Sequence, residues 1–240
     1  MNARFALKDS PSALGVHFDF PITDNFPARY NIAPSQPVAV ILHEGGRRQY
    51  QLVRWGFVPS WDREGKFLKK AIVNIRSETA PEKPMFRHAW RRRHCLFPLN
   101  GFYEWRTESK VKQPYFITIG PDAPLFALAG LYEDWLGPDG SEIRSAAFLT
   151  RASEGDVRQI HTRTPVVVRP EDYAQWLEAD ELDPAPSWSV VNAPPQPFHF
   201  WPVDRKVGSW KEEGEGLITP IEDGELRSEG APEPIRTRLF

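Results

Sequence analysis

Short apolar runs separated by turn residues, rather than long amphipathic stretches, set the pattern of this chain. Arg4–Ala6 reads as a short strand. RYNIAPSQPVAVILHEGG enters a strand at Pro37–His43 and reverses at Gly45 and Gly46 into QYQLVRWGF, the second arm of a hairpin ending at Gly56. Pro59–Lys70 is a loop. In IVNIRSETA, Asn74 and Arg76 lie two apart, on one face of a further short strand. Between Lys83 and Arg92, the recurrence of Met85, Phe86, Ala89 and Trp90 at helical spacing predicts a short helix. Pro114–Ile119, Leu125–Trp135 and Ile143–Thr150 read as strands, with a turn at Gly137–Gly140. Glu154–Ile160 reads as a helical turn, and Pro170 opens a helix with Tyr173, Trp176 and Leu177 on one face. Prolines punctuate Asp183–Pro202 and predict extended chain. The acidic segment after Ile221 predicts a poorly ordered tail over 222–240, behind a single domain over 1–221. Connections this short favour mostly antiparallel pairing.

The pattern departs from this rhythm at Cys95–Trp105, CLFPLNGFYEW, where Glu104 stands in a run otherwise almost wholly apolar. The run is too short for an ordinary helix, and Pro98 and Gly101 predict one kinked or bulged strand. A lone buried carboxylate is costly, so Glu104 is paired, protonated or in use. Downstream, HTRTPVVV places His161 and Arg163 two apart before another apolar run. Asn74, Arg76, Glu104, His161 and Arg163, each at the polar end of an apolar segment, suggest one site built from distant pieces. Each also has a plain structural use: an ion pair for Glu104, a core or helix-terminal ring for His161. Arg87, Arg91, Arg92 and Arg93, with His88 and His94, read first as a solvated helix face and second as a phosphate-neutralising cluster.

Composition narrows the classes. A net charge of -2 predicts no nucleic-acid partner from bulk charge, so any phosphate binding must come from a local patch. One cysteine, Cys95, excludes an internal disulfide framework and fits a reducing compartment, as an inert buried thiol. His17, His43 and His199 lack metal-ligand spacing, so neither a metal nor another cofactor is expected. With no apolar segment of membrane-spanning length and no leader-like amino terminus, a cytoplasmic protein without membrane contact is expected.

RYNIAPSQPV, LVRWGFVPSW, NIRSETA, CLFPLNGFYEW, PYFI, FALAGLYEDW and the HxRxP at His161–Pro165 together resemble the SOS response-associated peptidase family, also called abasic-site processing proteins. The resemblance runs in the family's order from Arg4 to about Ile221. It implies an α+β fold around a strongly bent, mostly antiparallel, barrel-like sheet with short flanking helices. It also implies a monomer whose partner is single-stranded DNA carrying abasic sites. In the family, a cysteine exposed by loss of the initiator methionine uses its α-amine and thiol to capture the ring-opened aldehyde as a thiazolidine, a covalent cross-link. By matching motifs, His161 serves sugar opening and proton transfer, Glu104 acts as acid and base near the amine, and Asn74 orients the amine. Arg4, Arg76 and Arg163 hold flanking phosphates. The loops at Trp55 and Trp61 offer stacking faces or are structural.

The chain departs from the family at the nucleophile, where Met-Cys-Gly-Arg-Phe becomes Met1, Asn2, Ala3, Arg4, Phe5. A carboxamide nitrogen is delocalised into its carbonyl and barely nucleophilic, so Asn2 excludes a thiazolidine there. Asparagine next to Met1 also predicts retention of Met1. Thr164, Asp204 and Gly208 are further departures. Three readings follow: abasic-site processing with reversible imine chemistry and possible lyase action, non-covalent binding of single-stranded or damaged DNA, and a cleft reused for a small aldehyde or peptide. Peptidase action is the weakest, since the family's self-cleavage also needs the second-position cysteine.

Overall fold

The computed structural model describes residues 4–21, 25–108, 111–178 and 182–221. Asn2 and the 222–240 tail therefore lie outside the described residues. The strands are β1 (Phe5–Leu7), β2 (Arg29–Ile32), β3 (Pro37–Glu44), β4 (Arg47–Trp55), β5 (Asn74–Arg76), β6 (His94–Leu99), β7 (Gly101–Glu108), β8 (Val111–Thr118), β9 (Phe126–Leu136), β10 (Glu142–Ala152), β11 (Arg163–Pro165), β12 (Val167–Val168) and β13 (His199–Pro202). Four short helices flank them: α1 (Pro11–Phe18), α2 (Arg87–Arg92), α3 (Tyr173–Leu177) and α4 (Ala185–Val191).

Five strands close on themselves. β10 pairs β4, β4 pairs β3, β3 pairs β6, β6 pairs β9, and β9 returns to β10. This ring is the barrel-like core expected of the α+β class. It explains why Val38–Leu42 is buried without alternation: one face lines the ring and the other is covered. A second sheet runs β13-β8-β7-β1-β2. Pairing is mostly antiparallel; β4 and β5 both meet β10 in parallel. The predicted hairpin forms as β3 and β4 about Gly45 and Gly46, both with positive φ.

The stretch Cys95–Trp105 is not one kinked strand. It divides at Asn100 into β6, in the barrel, and β7, in the second sheet. Asn100 is fully buried, and its side chain serves as the corner post. Its Oδ1 accepts from the Lys8 N–H at 2.8 Å, and its Nδ2 donates to Asp9 Oδ2 at 2.7 Å and to the Ala123 carbonyl at 3.0 Å. Gly101 follows because the Phe116 ring occupies the space a Cβ needs, only 2.2 Å away.

Two further expectations are corrected. Asp183–Pro202 is not all extended, because Pro184 and Pro186 fall at the start of α4, where no backbone N–H is required. Trp188 then packs on Trp90, ring centroids 5.1 Å apart. His94 is not on a solvated face. It is 2 % exposed, stacked on Trp176 at 3.9 Å, with Nδ1 and Nε2 against the carbonyls of Trp176 and Trp90 at 2.8 and 2.6 Å. Burial pushes its pKa down to about 4, against those carbonyl contacts. No helix among the described residues is long and apolar enough to cross a membrane.

Candidate nucleic-acid interface

β5 alternates as its sequence predicts. Ile75 turns into the core, 1 % exposed, while Asn74 and Arg76 face outward into a groove of about 520 Å³ shared with Trp61, Lys83, Met85 and Phe86. Asn74 Oδ1 is buried with no hydrogen-bond partner among the described residues. Such an acceptor costs about 1–3 kcal/mol when left unmade, so Asn74 Oδ1 is open to a donor beyond the described residues. Arg76 is exposed and has no ion pair among the described residues. Trp61 is 55 % exposed, its edge set against Phe67 at 5.7 Å, and presents a ring surface beside the two polar groups.

Trp55 has no such surface. It is wholly buried, edge-on to Phe5 at 4.9 Å and tilted against Phe148 at 5.6 Å, and its indole N–H faces the Val73 carbonyl at 3.4 Å. The stacking role read for Trp55 is therefore excluded by packing. The ring instead pins β1 to the residue preceding Asn74.

On the other edge of β10, the Arg163 backbone N–H donates to His161 Nδ1 at 3.0 Å. The same nitrogen lies 3.2 Å from the Arg163 carbonyl, so the Arg163 backbone holds the ring through Nδ1 whichever nitrogen carries the proton. Burial lowers the His161 pKa and the adjacent Arg163 cation reinforces this, so the ring is neutral at pH 7. Arg163 itself differs from the phosphate ligand read from sequence. Its Nη1 and Nη2 bond both oxygens of Glu78 at 3.0 and 2.9 Å, Nη2 reaches the Thr150 carbonyl at 2.5 Å, and Nε reaches Thr150 Oγ1 at 3.2 Å. Burial alone would raise the Glu78 carboxyl. The Arg163 hydrogen bond and charge, with Arg76 nearby, reverse this and hold it below its ordinary value.

Arg4 is likewise committed. Nη1 bonds Asn31 Oδ1 at 2.7 Å and the Val207 carbonyl at 2.8 Å, while Nη2 bonds the Gly208 carbonyl at 3.2 Å. This guanidinium ties β1 and β2 to the segment after β13, which leaves little of it for a phosphate. Glu104 is 1 % exposed on β7, in register with Tyr115. The neighbouring Tyr103 N–H donates to the Arg4 carbonyl at 2.9 Å, so the start of β1 lies beside Glu104. Cys95 is fully buried and its thiol pKa is pushed well up by burial, as for an inert core group.

The candidates thus fall into three sets around one core: Asn74, Arg76 and Trp61 in the groove, His161 and Arg163 across β10, and Arg4 and Glu104 where β1 meets β7. Glu78, Thr150 and Asn31 were not legible as partners. Glu78 stands two residues after Arg76, but in the Ser77–Thr79 turn, where strand alternation no longer applies.

A mostly antiparallel barrel bearing an open groove that presents Arg76 and Lys83 defines the class of fold. The chain belongs to the SOS response associated peptidase (SRAP) family, whose sequence model matches residues 1–210. It is 36% identical over 156 residues to abasic site processing protein YoqW of Bacillus subtilis, covering 65% of this chain and 69% of that one. To abasic site processing protein YedK of Escherichia coli it is 30% identical over 214 residues, covering 85% and 89%. In fold it is similar to a crystal structure of a Bacteroides thetaiotaomicron protein, with a TM-score of 0.80 at 21% identity over 91% of this chain and 99% of that one.

Proposed function

We propose that this chain recognises abasic sites in single-stranded DNA without a thiazolidine step at position 2. The observation that carries the reading is the buried acceptor Asn74 Oδ1, unpartnered among the described residues, in a groove that also presents Arg76 and Trp61. Arg76 takes a phosphate through a charge-assisted fork, and Trp61 stacks on a base flanking the lesion. The gap left by the missing base gives the sugar access to the groove. We read the chain as a cytoplasmic monomer, in keeping with one buried cysteine and an unremarkable net charge.

Imine chemistry is the second reading, favoured by the neutral His161. A carbonyl acceptor such as Asn74 Oδ1 orients an attacking α-amine, whose pKa of ~7.7 to 8.0 leaves it substantially neutral near physiological pH, unlike lysine at ~10.4. The amine adds to the ring-opened aldehyde to give a carbinolamine. Glu104 in its acid form supplies the proton that lets hydroxide leave as water, giving a protonated imine beside the carboxylate, while neutral His161 accepts the hydroxyl proton in sugar opening. With a carboxamide at Asn2, no thiol closes that imine into a ring, so it remains reversible.

The test is the intact mass of the full chain after incubation with an abasic single-stranded oligonucleotide, with and without borohydride, beside a salt titration of affinity. An adduct only after reduction supports the imine. No adduct, with salt-sensitive affinity that prefers the abasic strand, supports recognition alone. A stable adduct without reductant overturns the reading of Asn2, and absence of lesion preference overturns the function.

A further inference from the structure

The Glu78–Arg163 pair joins segments 85 residues apart in sequence. Glu78 lies in the Ser77–Thr79 turn directly after β5, and Arg163 opens β11 two residues after His161. Both short strands depend on β10, and they meet it at the same residue: Thr150 is in register with Arg76 on one edge and with Pro165 on the other. Three residues of pairing on each side hold little by themselves, and short edge strands are the first to fray. Thr150 is also where the Arg163 guanidinium anchors, through carbonyl and hydroxyl, while its two terminal nitrogens grip both Glu78 oxygens. Fork-to-fork geometry of this kind fixes direction as well as distance.

We propose that Glu78 is a positioning residue that braces β5 against β11 and so holds His161, through the Arg163 backbone, in the orientation and tautomer that Asn74 and Arg76 need opposite them. Its purpose rests on the functional reading above. A carboxylate that is 48% exposed is ordinarily half of a surface ion pair with little effect. The bidentate grip, the shared anchor at Thr150 and the N–H contact to His161 Nδ1 set this one apart.

The ring nitrogens of His161 report the brace without any DNA present. In the 15N-labelled full chain the parent should show two well-separated neutral-ring signals, one nitrogen protonated and the other bare, assigned by His161→Gln. Glu78→Ala should bring the two signals toward each other as the tautomers exchange, and Glu78→Asp, which keeps the charge, should restore most of the separation. Glu78→Gln, nearly isosteric, takes the place of the alanine variant if that fails to fold. Unchanged His161 signals in Glu78→Ala or Glu78→Gln overturn the proposal, as does an aspartate variant no closer to the parent than the alanine one. A parent chain with no affinity for abasic DNA sinks the functional reading and leaves the ring signals to decide the brace.

Discussion

Two arginines that look equivalent in sequence should respond oppositely to substitution. Arg76 is exposed and free of ion pairs among the described residues, whereas Arg163 is gripped by Glu78 and Thr150. Only a cation not already neutralised releases a DNA counterion on binding. Arg76→Gln should therefore reduce the slope of log affinity against log salt by about 0.7, the value for one single-strand phosphate. At fixed moderate salt, the lost charge-assisted contact is worth about 1–2 kcal/mol, or roughly 5- to 30-fold in affinity. Its melting temperature should stay near that of the parent. Arg163→Gln should leave the slope almost unchanged but cost roughly 1–2 kcal/mol of stability through the broken brace, lowering the melting temperature by about 2 to 8 °C. Fluorescence anisotropy of a labelled abasic oligonucleotide between about 50 and 200 mM salt, beside thermal unfolding, measures both. Equal slope changes for the two variants would refute the assignment of Arg76 as the phosphate ligand and Arg163 as the strut.

The tryptophans divide in the same way. Trp61→Ala should weaken single-strand binding by about 1–3 kcal/mol with little effect on unfolding, while Trp55→Ala should cost about 3–5 kcal/mol of stability; comparable losses of stability in both would contradict the packing. His94 should stay neutral as pH falls to about 5, read from its ring 13C shift. With its folded pKa depressed to about 4, its contribution is complete above the unfolded value of ~6.5. It is lost as pH falls toward 4, by on the order of 3 kcal/mol in all. A ring that titrates near its ordinary value would disprove this. Gly101→Ala, whose Cβ would stand 2.2 Å from the Phe116 ring, should destabilise by about 1–3 kcal/mol in denaturant unfolding, and a neutral result would mean that the ring has room to move. Asn2→Cys, in a chain processed to begin at residue 2, should convert any borohydride-dependent adduct into one that survives without reductant.

Much of the architecture followed from local pattern, because strand alternation and turn chemistry are short-range. The β3–β4 hairpin, the outward placement of Asn74 and Arg76 about Ile75, and the burial of Glu104 were all readable that way. What escaped depended on distant contacts. Asn100 lies inside a run that reads as one kinked strand, yet it turns the chain between sheets because Lys8, Asp9 and Ala123 converge on it. Trp55 and Trp61 have similar neighbourhoods in sequence. Only the position of Phe5 and Phe148 decides that one is core and the other open. Arg163 in an HxRxP motif resembles a free phosphate ligand until Glu78, 85 residues earlier, is found across β10. The prolines before α4 misled for a simpler reason: proline stops a helix interior but suits its first turn.

The clamp that Arg4 makes on the carbonyls of Val207 and Gly208 spans more than 200 residues. At synthesis rates of ~5–20 residues per second, roughly 10 to 40 s separate the two halves of that contact. For about the first half of this interval the first strand lacks Phe102 beside it, and for all of it the late segment that latches it is missing. The head of the chain therefore stays open to enzymes that trim or modify nascent protein, and its last fastening, to Val207 and Gly208, forms only when the last fifth of the molecule arrives. Any trimming of the residues before Arg4 is settled before the contacts that hold Arg4 exist.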